Sequence, residues 1–157
     1  MLPLTGKAAP VRLLRSESNE WCGALSPDGN WIAYASDESG RSEIYVQAFS
    51  EAGLSGRAWQ VTYIGGSWPK WRRDGRELLF LGADRTIVAV NVSLGATVKA
   101  QTPRKLFAPG IDSPDATFDV TADGKRFIVP SALSFRSAEP PGVVLNWIDG
   151  VSRPGQE

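Results

Sequence analysis

One short phrase occurs three times in this chain. It reads Leu25-Ser26-Pro27-Asp28-Gly29-Asn30-Trp31-Ile32-Ala33-Tyr34, then Trp71-Arg72-Arg73-Asp74-Gly75-Arg76-Glu77-Leu78-Leu79-Phe80, then Val120-Thr121-Ala122-Asp123-Gly124-Lys125-Arg126-Phe127-Ile128-Val129. The Asp-Gly pairs lie 46 residues apart (28 to 74) and then 49 (74 to 123). A period of that length fits a unit of about four strands, the size of one propeller blade. It constrains the architecture far more than the function, because propellers host many functions.

Asp-Gly between two β-rich runs predicts a hairpin with a two-residue turn. Such a turn needs positive φ, which Gly adopts freely and Asp tolerates. The runs that follow, Trp31 to Tyr34, Leu78 to Leu81 and Phe127 to Val129, are aromatic or branched, as strands prefer. They are continuous rather than alternating, which predicts burial on both faces. A further strand is expected in each unit: Glu43 to Phe49, Thr86 to Val92 and Val143 to Trp147. A weaker fourth strand closes the first two, at Trp59 to Thr62 and Lys105 to Phe107. The third unit has none, and Val11 to Leu14 reads as a fourth strand with no unit of its own.

The expectation is therefore an all-β chain forming a partial β-propeller of about three blades, each an antiparallel sheet of up to four strands. Residues 1–15 are the end of a preceding blade, 16–63 and 64–110 are blades, 111–148 are an incomplete final blade, and 149–157 are a polar tail. Two blades and a part cannot close a ring of four or more. The chain is expected to be the C-terminal part of a larger ring, or to pair with copies of itself.

Composition narrows the chemistry. Of 157 residues, 17 are basic, 17 are acidic and none is histidine. The balanced, scattered charge gives no nucleic-acid footprint. Without histidine there is no Ser-His-Asp or Cys-His nucleophile and no usual zinc site. A single cysteine, Cys22, excludes an internal disulfide; placed in a predicted strand, it reads as a buried inert thiol. No apolar run reaches the roughly 20 residues of a membrane span, and Met1-Leu2-Pro3-Leu4 lacks the form of a secretory signal. Four of the six tryptophans, Trp21, Trp31, Trp68 and Trp71, recur near the hairpins. They read as packing between blades, with a carbohydrate or peptide platform as the competing reading.

Several motifs match in letters alone. Leu2-Pro3-Leu4-Thr5-Gly6 has the letters of a sortase signal but lies at the wrong end. Asn91-Val92-Ser93 is a glycosylation sequon inside a predicted strand. Gly65-Gly66 is followed by Ser67-Trp68-Pro69 and opens no phosphate loop. The first Asp-Gly phrase comes near the Asp-box of sialidases, but that turn has one more residue between Asp and Gly. Glu20, Asp28, Asp37, Glu38 and Glu43 cluster in one blade. Glycoside hydrolysis needs two carboxyls roughly 5 to 9.5 Å apart, and nothing in the sequence pairs any two of these. No catalytic, cofactor-binding or metal-ligating residue is assigned.

Ser26-Pro27-Asp28-Gly29, Ser36-Asp37-Glu38-Ser39-Gly40 and Ile44-Tyr45-Val46 together resemble the TolB-like (WD-repeat-like) propeller repeat. Glu38-Ser39-Gly40-Arg41 with Glu43-Ile44-Tyr45-Val46, Pro69 to Leu78, and Val143 to Trp147 look like the C-terminal blades of bacterial proteins in which such a propeller follows a Ser/Thr protein kinase domain. The resemblance spans residues 1 to about 148. It implies a ring of six or seven blades, extracytoplasmic, that binds a protein or ligand and does not catalyse. The third phrase departs from it, with Val120-Thr121-Ala122 in place of Ser-Pro before Asp-Gly. No kinase motif is present, and no functional residue carries over. The alternative is the accessory propeller of a prolyl-oligopeptidase-like serine peptidase, whose Gly-x-Ser-x-Gly elbow is absent here.

Overall fold

A computed structural model of the chain describes residues 13, 14, 16–110, 117–130 and 143–144. Among the described residues there is no helix. Three antiparallel sheets follow one another along the chain. In the first, β1 (Glu20–Leu25), β2 (Trp31–Ser36), β3 (Glu43–Ser50) and β4 (Gly53–Gln60) pair in that order. In the second, β5 (Gly66–Trp71), β6 (Glu77–Gly82) and β7 (Ile87–Ser93) pair in order. Two short strands, β8 (Lys99–Ala100) and β9 (Arg104–Phe107), then share the free edge of β7. In the third, β10 (Asp119–Val120), β11 (Phe127–Ile128) and β12 (Val143–Val144) pair in order. The expected strand positions 145–147, the tail 149–157 and the Leu2 to Gly6 motif lie outside the described residues.

Two expected strands need correction. The fourth strand of the first unit is not Trp59 to Thr62 but the earlier β4. Its register against β3 slips between Val46 and Ala48, and Gly53 and Gly56 take φ of 109° and 65°. Those glycines let the strand bend to stay paired. Leu13 and Leu14, the described part of Val11 to Leu14, lie in no described strand. They pack instead on Ile32, Tyr34 and Tyr45.

The two-residue turn also needs correction. In all three phrases the residue two before Asp accepts a hydrogen bond from the Gly N–H: Gly29 to Ser26 at 2.9 Å, Gly75 to Arg72 at 2.9 Å, Gly124 to Thr121 at 2.8 Å. This is a type I turn with the Asp at its third position and negative φ, and only the Gly is left-handed, at 73°, 67° and 71°. The loop then closes one residue pair further out, from Ser26 N–H to Trp31 at 2.8 Å, Arg72 to Glu77 at 3.0 Å and Thr121 to Arg126 at 2.9 Å. The cause is the Asp side chain. Each carboxylate accepts from the N–H two residues on: Asn30 at 3.1 Å, Arg76 at 3.1 Å and Lys125 at 3.0 Å. That local bond selects the four-residue loop over the two-residue one.

Burial on both faces is what β2 and β6 show, whereas β11 buries Phe127 and exposes Ile128, and the alternation has a direction. Counting from each Asp, the fourth residue (Ile32, Leu78, Phe127) faces back along the stack, and the fifth (Ala33, Leu79, Ile128) faces forward. Ala33 and Leu78 share the core between the first and second sheets, with Ala35, Ile44, Val46, Phe80, Val88 and Val90. Leu79 and Phe127 share the core between the second and third, with Leu81, Ile87, Ala89, Phe118 and Val129. Phe80 and Phe127 are fully buried, and each such side chain contributes about 1.5–3 kcal/mol of hydrophobic stabilisation. The sheets are thus stacked face to face in chain order.

The tryptophans serve this stacking. Trp21, Trp31, Trp59 and Trp71 pack on the first core and Trp68 on the second. Trp71 Nε1 donates to the Ala24 carbonyl at 3.0 Å, tying the second sheet to the first.

Candidate functional site

The three Asp-Gly turns lie at one end of the stack and climb it like steps. A side chain placed on Gly75 would meet Pro27 Cδ of the preceding turn at 3.9 Å, and one on Gly124 would meet Arg72 Cδ at 3.1 Å. Arg73 N–H donates to the Ala122 carbonyl at 3.3 Å, and Lys70 Nζ lies 3.7 Å from Asp119. The Arg73 hydrogen bond ties the second turn to the third.

Each turn is locked by its own acid. The Ser26 hydroxyl donates to Asp28 at 2.6 Å and accepts from Trp31 N–H at 2.9 Å. Thr121 repeats the arrangement with Asp123 and, at 3.2 Å, Arg126 N–H. The third phrase, which departs from Ser-Pro in letters, keeps the hydroxyl and so keeps the chemistry. The middle turn uses the Arg72 guanidinium, which binds Asp74 through Nε at 3.1 Å and also through Nη2. Arg72 Nη1 then reaches Glu77 at 2.9 Å, and Arg104 Nη2 reaches the other oxygen of Glu77 at 2.8 Å. Hydrogen bonding holds all three turn carboxyls below the ordinary carboxylate range: from the Ser26 hydroxyl at Asp28, from Arg72 at Asp74 and from the Thr121 hydroxyl at Asp123.

Between the first two turns opens a cleft of about 680 Å³. Its floor and walls come from Pro27 and Asp28, from the turn Arg72 to Arg76, and from the end of β7 with Gln101. That volume lies within the range of small-molecule sites, roughly 300–1,000 Å³.

Of the five acids singled out in the sequence, Asp28 stands apart at the turn end, and Glu20 joins Asp37, Glu38 and Glu43 at the far end of the first sheet, where Glu20 and Glu38 both act on Tyr34. Asp37 accepts from Asn19 N–H at 2.9 Å and Asn19 Nδ2 at 2.8 Å, which lowers its pKa. Glu43 is fully buried and receives Arg41 Nε at 2.6 Å, the Thr62 hydroxyl at 2.6 Å and Gly65 N–H at 3.1 Å. Both carboxylates are engaged in holding the fold. Asn91 of the sequon lies within β7, its Nδ2 donating to Gln101 at 3.1 Å. No group of three or more His, Cys, Asp or Glu side chains is placed to hold a metal ion among the described residues.

Cys22 is half-buried rather than buried, in β1. Burial pushes its thiol pKa up, more than the Trp68 N–H and Lys70 pull it down, so it is a poor nucleophile. Its backbone is the less expected feature. Cys22 and Trp68 have φ of 56° and 55°, each at the bulge of the first strand of its sheet and each six residues before the turn Asp. Two bulky left-handed residues cost of order 1–3 kcal/mol each. The shared offset was the only trace of this in the sequence, because neither residue is a glycine.

No model of a known protein family and no curated protein matches this chain.

Proposed function

We propose that the chain is a segment of a TolB-like β-propeller and serves as a non-catalytic module that binds a protein or a ligand. The observation that carries the reading is the one-directional stack. Three sheets in a row present their fourth residue after Asp backward and their fifth forward. Ala33 and Leu79 in the forward position are 0% and 2% exposed beneath the next sheet, whereas Ile128 in the same position is 62% exposed. A ring continues such a stack with another sheet over Ile128. The absence of histidine from the whole chain and the use of Asp28, Asp37 and Glu43 in the fold's own hydrogen bonds support binding over turnover. The resemblance adds the rest of the proposal: an extracytoplasmic sensor part of a bacterial Ser/Thr kinase.

Sedimentation velocity over a wide concentration range tests the stack. Wild type should self-associate through the open face, and Ile128→Ser should weaken that association. A wild type that melts sharply and stays monomeric throughout would overturn the reading. Reproducible hydrolase or kinase turnover by the purified chain would overturn the non-catalytic half of it.

A further inference from the structure

We propose that the cleft between the first two Asp-Gly turns is a binding site for a small molecule bearing a phosphate or carboxylate group. This deepens the binding-module reading and rests on it.

The charged groups of the cleft fall into two sets. Asp28 and Asp74 are spent within their own turns: Asp28 accepts from Ser26 and Asn30, and Asp74 accepts from Arg72 and from Arg76 N–H. The guanidinium groups of Arg73 and Arg76 are not spent. Both side chains are exposed and line the cleft, and neither makes a hydrogen bond or ion pair with any described residue, although, after Arg72, the charge of Arg76 helps to lower the Asp74 pKa. On the facing wall, Asn91 occupies the Gln101 amide oxygen at 3.1 Å. The Gln101 amide N–H groups stay without a partner among the described residues. What the cleft offers is therefore donors: two planar forks and an amide.

Only an acceptor-rich ligand uses such a set. Guanidinium forks match the paired oxygens of carboxylate and phosphate, each by two parallel N–H···O bonds. A cation would meet unpaired positive charge, and a neutral ligand would leave the forks without ionic partners. The cleft volume of about 680 Å³ exceeds a lone anion and leaves room for a body to lie against Pro27 and Leu94, which also line it. The second turn holds the pair in place. Gly75 lies beside Pro27, and Arg72 braces the turn through Asp74 and Glu77.

Titration calorimetry of the full chain, with inorganic phosphate in one arm and citrate in the other, tests the site and separates the two anion chemistries. Wild type should bind at least one probe, and the double variant Arg73→Gln/Arg76→Gln should bind it about tenfold or more weakly. Because both side chains are exposed and neither makes a hydrogen bond or ion pair with a described residue, that variant should melt close to wild type. Arg57→Gln removes an equally exposed charge that lies over Trp59, away from the cleft, and should bind like wild type. No heat with either probe at millimolar concentration would overturn the site. So would equal weakening by Arg57→Gln and the double variant, which would mean general charge attraction. Turnover of an ester of the bound anion would sink the non-catalytic reading and leave the site standing.

Discussion

Removing the Glu43 carboxylate should destabilise the protein more than any exposed charge deletion. Glu43 opens β3 and is fully buried. It holds the link between the first and second sheets, because Thr62 and Gly65 lie in the connection from β4 to β5. Glu43→Ala leaves the Thr62 hydroxyl and the Gly65 N–H without an acceptor, and each buried orphan donor costs about 1–3 kcal/mol. Thr62 is itself fully buried and still accepts from Ile44 N–H at 2.8 Å, so it cannot turn away. The ion pair adds less, since Arg41 is 61% exposed and water screens it. The sum is about 2–6 kcal/mol, a large share of the roughly 5–15 kcal/mol that holds a domain folded. Glu43→Gln should fall between, as one amide oxygen can serve one donor and its NH₂ opposes the other. Arg41→Ala should cost less than Glu43→Ala, because Glu43 then keeps the Thr62 and Gly65 donors. Urea unfolding followed by tryptophan fluorescence gives the order through the midpoint at constant slope. If Arg41→Ala cost as much as Glu43→Ala, the ion pair and not the buried donors would be the cause, and the reasoning would fail.

Other perturbations probe the stack and the turns. Gly66→Ala would place a methyl 2.8 Å from Phe80 Cδ2 and 3.2 Å from Ile44 Cγ1, both in fully buried residues; overpacking of this kind should lower stability by about 1–3 kcal/mol in the same urea titration. Asp74→Pro should destabilise far more than Asp84→Ala, because Pro at the third position of a type I turn forces Arg73 out of its helical φ/ψ, whereas Asp84→Ala removes exposed bonds to Thr86 and Lys105 and leaves the backbone of its turn free to keep its shape; equal melting temperatures would refute the turn assignment. Asp28, Asp74 and Asp123 are all held below their ordinary values, and Asp84 is lowered to about 2, first by Lys105. Folded-state pKa values below the unfolded ones add stability above about pH 4 that is lost as pH falls through the folded values. The melting temperature should therefore decline from about pH 4 toward pH 2, shallowly because these groups are exposed, and a flat profile there would contradict the turn hydrogen bonds.

The legible and illegible parts of this chain divide by the range of the interaction that decides them. The Asp-Gly phrases announced the hairpins because a turn is settled by residues within a few positions of one another. The two-sided burial of Leu78 to Leu81 showed because unbroken apolar runs mean the same thing in any sheet. The turn type was missed at the next level of detail, where the Asp carboxylate competes with the backbone for the N–H two residues on. That bond was in principle readable, since Asp is followed two positions later by a donor in every phrase. What could not be read depends on pairing across the fold. β4 begins at Gly53 because β3 offers a partner there. Gly65-Gly66, which looked like a failed phosphate loop, is small because β5 must slip past Ala83 and Phe80, and a Cβ on Gly65 would lie 2.7 Å from the Ala83 methyl. Glu43 looked like one acid among five until Thr62 and Gly65 came round to meet it. The cleft belongs to the same class. Arg73 and Arg76 are ordinary turn residues in the sequence, and only the placing of the second turn beside Pro27 sets their exposed guanidinium groups beside Gln101, 25 positions beyond Arg76. A cleft bounded by two repeats is invisible to any reading of one repeat, because the first closes it with Pro27 and Asp28 while the second supplies the rest.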